Sequence, residues 1–330
     1  MYDKVSIPVF NGEFCVQLQG FLIEKRNLGC KYERTDNLLK QFDKFSMNYD
    51  CSEGLTKELA LAWAERLPYQ SRSTQEKKIT IIRQFAIFMQ RNGYNACVLP
   101  KCNSTEFYRH KPYIFTVEEM NRIFVAADAI KSRPETPHRH LIFPLLFRIL
   151  YCCGLRVSEA LKLKVKDIDL QTGILEITDG KGQRDRIIPM DDDLRVRCCN
   201  YYSLMQKFLS PDDYFFSSPR GGRYNANSVY GVFRKLLVKS NISHGGRGKG
   251  PRVHDIRHTF AVHSFRSFIS AERDPMEILP VLAAYLGHKS YTGTVHYLHL
   301  VAEMFPEITS SVEEMYGDFI PRGGVTDEAN

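Results

Sequence analysis

From Leu141 to Cys153 the chain is apolar nearly all the way round a helix, and such a helix is stable only where other elements cover every side of it. Pro144 and Arg148 interrupt the run, and it is too short to span a bilayer, so it marks the centre of a folded core. Gly154 ends this helix and the chain turns into Leu155-Arg156-Val157-Ser158-Glu159. A rigid helix junction therefore delivers Arg156, and Glu159, three positions on, is able to hold its guanidinium in place. Taken alone, the pair reads as an ordinary surface arginine matched on its own helix.

At 330 residues the chain exceeds the usual size of one domain. Residues 1–100 read as a small helical domain. Leu38, Leu39, Phe42, Phe45 and Met47 recur at helical intervals, Thr56 is placed to cap the segment to Leu67, and Ser73 with Glu76 forms a capping box. The helix after that box sets Ile79, Ile82, Phe85, Ala86 and Met89 on one face and stops near Gly93. Lys77, Lys78 and Arg83 lie mostly off that face. A basic flank of this kind is usually only solvated, but here it is a candidate phosphate contact. Periodicity is lost from Tyr94 to Tyr113, and the linker is placed at residues 101–113. Thr116 with Glu119 makes another capping box and opens the second domain, residues 114–330.

Within that domain Ile174, Leu175 and Ile177, then Arg186, Ile187 and Ile188, flank Asp179-Gly180-Lys181-Gly182. This is a β-hairpin with Lys181 at its exposed tip, where most lysines are simply solvated. Asp191 to Lys207 and Asn227 to Lys239 read as helices. The fold class is thus mainly α, with a small antiparallel β-sheet in the second domain.

Charge is distributed unevenly. The net charge is +7, a mild hint of a polyanionic partner. More telling is Tyr214 to His254, which holds no carboxylate but carries Arg220, Arg223, Arg234, Lys235, Lys239, Arg247, Lys249 and Arg252. Arg220, Arg223, Arg247, Lys249 and Arg252 join Lys77, Lys78 and Arg83 as candidate contacts for such a polyanion. Gly248-Lys249 is followed by Gly250-Pro251 where a Walker motif needs Ser or Thr and a helix, so this loop is no nucleotide cradle. The nine cysteines include the adjacent pairs Cys152-Cys153 and Cys198-Cys199, and Cys97 with Cys102 lacks CxxC spacing. Reduced thiols and a cytoplasmic location are expected, with no signal peptide in Met1 to Gly12 and no membrane segment.

On a helix starting near Asp255, His254 and Arg257 fall one turn apart and are able to face a single phosphate. Pro275 starts a further helix that ends at Gly287, and His288 follows at once, with Tyr297 nine residues later. His254 and His258 also make HxxxH, with Asp255 in place of the acidic residue of a zinc protease. No third ligand is evident and Arg257 adds a cation, so neither metal nor cofactor is expected.

Cys153-Gly154-Leu155-Arg156-Val157-Ser158-Glu159, Gly180-Lys181-Gly182 with Arg186-Ile187-Ile188-Pro189, His254-Asp255-Ile256-Arg257-His258-Thr259-Phe260-Ala261, and Leu286-Gly287-His288 with Tyr297-Leu298-His299 resemble the motifs of the tyrosine recombinases, the phage integrase family. They follow the family's order and approximate spacing. The resemblance implies a helical core-binding domain (residues 1–100) that contacts DNA and a catalytic domain (residues 114–330). It implies that Tyr297 attacks phosphorus, leaving a 3′-phosphotyrosyl link and a free 5′ hydroxyl. Arg156, Arg257 and His288 would stabilise the phosphate, His254 would act as base and Lys181 as acid, with Glu159 supporting the site.

After Tyr297 the acidic residues Glu303, Glu307, Glu313, Glu314 and Asp318 accompany an apolar face of Val301, Met304, Phe305, Ile308, Val312 and Met315. By the same resemblance this segment docks on a neighbouring protomer, giving a tetramer on double-stranded DNA with inverted-repeat sites, with accessory recombination factors as further partners. The expected function is integration or transposition of a mobile element. Xer-like dimer resolution, type IB topoisomerase-like relaxation of DNA, and a non-catalytic DNA-binding protein are the alternatives.

Overall fold

The computed structural model describes residues 8–29, 33–101, 112–178, 185–246, 250–271 and 273–287, and the chain divides into two compact units, Met1–Arg109 and His110–Asn330.

The first unit contains α1 (Cys15–Asn27), α2 (Glu33–Ser46), α3 (Lys57–Ala64) and α4 (Arg72–Arg91). Its core is aromatic: Phe14, Phe21, Phe42, Trp63 and Phe85 are buried together, and the rings of Phe42 and Trp63 meet edge to face at 5.5 Å. Thr56 accepts the Leu59 N–H at 3.2 Å and starts α3. The start of α4 departs from the sequence reading. Ser71, not Ser73, is the cap, accepting the Thr74 N–H at 3.2 Å. The stretch from Tyr94 to Lys101 is not free connection either: Cys97 N–H donates to Leu55 O at 2.7 Å and Leu99 is buried.

In the second unit, α5 (Val117–Asp128) begins at the expected Thr116–Glu119 capping box. Next comes α6 (Arg139–Cys152), whose Ile142, Phe143, Leu146, Phe147, Ile149 and Leu150 are all buried. Pro144 lies inside this helix. Around α6 pack α5, α8 (Asp192–Met205) and α10 (Val253–Ser270), which accounts for its apolar circumference. Among the described residues the unit also holds the α-helices α7 (Val157–Ala160), α9 (Ala226–Lys239) and α11 (Pro275–Leu286).

Three strands, β1 (Ile168–Asp169), β2 (Ile174–Ile177) and β3 (Arg186–Pro189), form an antiparallel sheet in that order. The sequence revealed β2 and β3; β1 is too short to show alternation. The β2–β3 register pairs Leu175 with Ile188 and Ile177 with Arg186. Leu175, Ile177 and Ile188 are buried while Glu176 and Ile187 face outward. Because side chains alternate along a strand, Arg186 shares the inward face with Ile188.

A second buried group, Ala261, Val262 and Phe265 on α10 with Leu279, Leu282 and Leu286 on α11, holds those two helices together. No helix among the described residues is long and apolar enough to cross a membrane.

Candidate active site

The site begins where α6 stops. Gly154 has φ +56°, and a Cβ there would lie 2.3 Å from Cδ1 of Phe260 on α10, so neither the backbone angle nor the space admits another residue. That turn buries Leu155 and leaves Arg156 at the N-cap of α7 in an extended conformation.

Glu159 then folds back. Its Oε2 accepts the Arg156 backbone N–H at 2.9 Å and its Oε1 accepts from Arg156 Nη1 at 2.6 Å. Two further arginines approach the same carboxylate. Arg186, from the inward face of β3, donates through Nη2 to Oε2 at 2.8 Å and through Nη1 to Oε1 at 3.3 Å. Arg257, on α10, brings Nη1 to 3.7 Å from Oε2. Burial alone would push the Glu159 carboxyl upward, but hydrogen bonds from Arg186 and from the Arg156 backbone, with the charge of Arg186, hold it down at about 2. It therefore stays ionised at any physiological pH.

The guanidiniums also share a second acceptor set. Arg186 Nε donates to Tyr285 O at 2.9 Å, Arg257 Nη2 donates to Leu286 O, and Arg156 Nη2 donates to Gly287 O at 3.3 Å. Three consecutive carbonyls at the end of α11 are thus taken by three different arginines. These are groups that a helix leaves unsatisfied at the negative end of its dipole, where cations are favoured. Arg257 additionally donates to Gly154 O at 2.7 Å and is only 2% exposed. The arrangement is a buried, positively charged nest at the junction of α7, β3, α10 and α11.

Tyr285 stacks on Phe260 at 5.6 Å, and burial pushes its phenol well above the usual tyrosine range. That phenol is no ready nucleophile.

His254 is exposed on the first turn of α10, one turn before Arg257, and its ring meets that of His258 edge to face at 4.8 Å. This helix begins at Val253, two residues before the start expected from the sequence, because Asp255 Oδ2 accepts the Arg252 N–H at 2.8 Å. Asp255 is fully buried and serves as this cap. Among the described residues no group of three or more His, Cys, Asp or Glu is arranged to hold a metal ion.

Lys181, His288 and Tyr297, and with them Arg247 and Lys249, lie outside the described residues. Of the other basic candidates, Lys77 is exposed and Arg83 half-buried. Lys78 requires correction. It is 6% exposed, its ammonium sits 4.5 Å from the Trp63 ring centroid and donates to Glu65 O at 3.3 Å, so it is part of the first unit's core and not of a solvent-facing flank. Arg220 and Arg223 are exposed around a tight turn in which Ser218 Oγ donates to Gly221 O at 2.6 Å. Arg252 is exposed but lies 3.5 Å from Asp255.

Arg186 escaped notice in the sequence as a site residue. Its signal was available: it stands two positions before a buried strand residue, on the face where a charge needs a partner.

The family model of the phage integrase family matches residues 114–304. The protein y4rB of Sinorhizobium fredii, provisionally designated an integrase/recombinase, is 28% identical over 91% of this chain and 97% of its own length. Tyrosine recombinase XerC of Oceanobacillus iheyensis is 26% identical over 72% of this chain and 73% of its own length. Among solved structures, the XerH site-specific recombinase bound to a palindromic difH substrate has the same fold, with TM-score 0.63 and 18% identity over 94% of this chain and 91% of that one. So does the Tn1549 transposon integrase in complex with transposon right-end DNA, with TM-score 0.61 and 17% identity over 91% of this chain and 98% of that one.

Proposed function

This chain belongs to the phage integrase family of tyrosine recombinases, enzymes that transfer DNA strands at specific sites, and from that premise we propose that it integrates or transposes a mobile element by way of Tyr297. The observation that carries the catalytic part is the nest of Arg156, Arg186 and Arg257 around Glu159.

In the proposed reaction the Tyr297 hydroxyl oxygen bonds to a backbone phosphorus and the bond to the 5′ oxygen breaks. The tyrosine loses its proton to His254, and the departing oxygen gains one from Lys181. A phosphotyrosyl ester remains, so the bond energy is kept for rejoining. An unperturbed phenol has a pKa near ~10 and is mostly protonated at neutral pH, which is why a base is required. His254 is exposed and close enough in sequence to Arg257 to share a phosphate with it. The positive nest, with His288 as a further donor, stabilises charge on the non-bridging oxygens.

The first unit is proposed to bind DNA, with Lys77 rather than Lys78 supplying charge, and Arg220 and Arg223 to contact phosphate from the second. The mobile-element reading is supported by the nearly full-length likeness to y4rB. Xer-like dimer resolution is the second reading, supported by the likeness to XerC.

A nicked suicide duplex built from the flanks of the gene tests the proposal. Wild-type protein is expected to form a covalent adduct whose DNA-linked peptide contains Tyr297, and Tyr297→Phe is expected to form none. An adduct through another residue, or full adduct formation by the variant, overturns the assignment.

A further inference from the structure

We propose that Arg186 is a positioning residue for strand cleavage: it balances the charge of Glu159 and fixes the end of α11, so that the nest meets the reacting phosphate with the right net charge. This rests on the recombinase reading above, which counts Arg186 in the nest but gives it no part of its own beside Arg156, Arg257 and Glu159.

Both oxygens of Glu159 receive Arg186, at 2.8 and 3.3 Å, and the remaining Nε goes to Tyr285 O. One planar side chain therefore joins β3 to α7 and to the last turn of α11, at a carbonyl two residues before Gly287. A lysine presents only a point charge and could not hold all three acceptors in one plane. The fit is close on the other side as well, since a Cβ on Gly287 would lie 3.2 Å from Arg186 Nη1.

Charge makes the case quantitative. Three guanidiniums and one carboxylate leave these four groups with a net charge of +2. A phosphodiester carries one negative charge and the attacking phenolate adds another, so the five-coordinate transition state carries two. Without Arg186 the Glu159 carboxylate draws on Arg156 and Arg257, and the group falls to +1 as the reaction reaches its most negative point. The loss is felt more in the transition state than in the bound substrate, and so in the cleavage rate more than in DNA affinity.

The experiment compares wild type, Arg186→Gln, Arg186→Lys and the double variant Glu159→Gln/Arg186→Gln. Single-turnover adduct formation is followed on the suicide duplex, DNA affinity is measured on an intact duplex, and binding of inorganic phosphate is measured on DNA-free protein. Arg186→Gln is expected to cleave about 10- to 100-fold more slowly with DNA affinity within about threefold. The double variant restores the net charge of +2 and is expected to recover at least about fivefold over Arg186→Gln, a gain that loss of the Arg186–Tyr285 tie alone would not produce. Arg186→Lys, which keeps the charge, is expected to lie between Arg186→Gln and wild type. Cleavage by Arg186→Gln within threefold of wild type, or a double variant no faster than it, overturns the proposal while leaving the recombinase reading standing. If wild type forms no adduct, the proposed cleavage of the flanking DNA by Tyr297 fails instead. Arg186 is then judged on the phosphate dianion, measured at alkaline pH, which carries two negative charges like the transition state: weakened binding in Arg186→Gln that returns in the double variant supports it, and unchanged binding overturns it.

Discussion

Lys77 and Lys78 are neighbours in the chain and opposites in the fold. The first is exposed; the second lies over Trp63, with burial lowering its affinity for a proton. Lys77→Ala is therefore expected to weaken DNA binding and lower the slope of log affinity against log salt by about 1, whereas Lys78→Met leaves that slope unchanged. Salt titrations of both variants check this. Glu159 gives the pH dependence. Its folded carboxyl titrates at about 2 against an ordinary 4.5, so its stabilising contribution is complete above about 4.5 and is lost as pH falls toward 2. The full contribution is of the order of ~3 kcal/mol. In Glu159→Gln, denaturant-derived stability should show a shallower decline between those limits than wild type, and an identical acid profile would contradict the account.

At the scale of elements, the junction of α6 and α7 carries the most constraint. Gly154→Ala forces a left-handed backbone angle on a residue with a Cβ and drives that carbon into the Phe260 ring. It is expected to lower stability by about 2–4 kcal/mol, and adduct formation with it, since Arg156 and the carbonyl that receives Arg257 both follow from this turn. Thermal unfolding measures the loss. The α11 terminus shows how one element supports another. Its last carbonyls would be unsatisfied in an isolated helix, and here they order the three arginines that surround Glu159.

For the whole molecule, the division into two units accords with an aromatic helical core in the first and an α6-centred core in the second. We propose that the acidic segment after Glu303 joins protomers. Deleting it should abolish joining of two DNA sites while leaving single-site binding intact. Mobility-shift and synapsis assays separate the two, and a truncated protein that still joins sites would count against it.

Motif order identified the family, because four short motifs at the right intervals are improbable together where each alone is weak. The burial of α6 was legible from its apolar circumference, and β2 and β3 from apolar runs on either side of a glycine-containing stretch. Those are local properties, set by residues within a few positions of one another. The position of Lys78 was not legible, because its identity predicts a surface and only the Trp63 ring and Glu65 carbonyl of α3 and its end explain why it is inside. The pairing of Arg156 with Glu159 was legible from its three-residue spacing, but the arrival of Arg186 and Arg257 at the same carboxylate was not, since both are distant in the chain and reach it only through strand register and helix packing. Chain order alone dictates which charged groups are present; which of them share a carboxylate is settled by packing, because a buried charge is stable only where the fold supplies its partner.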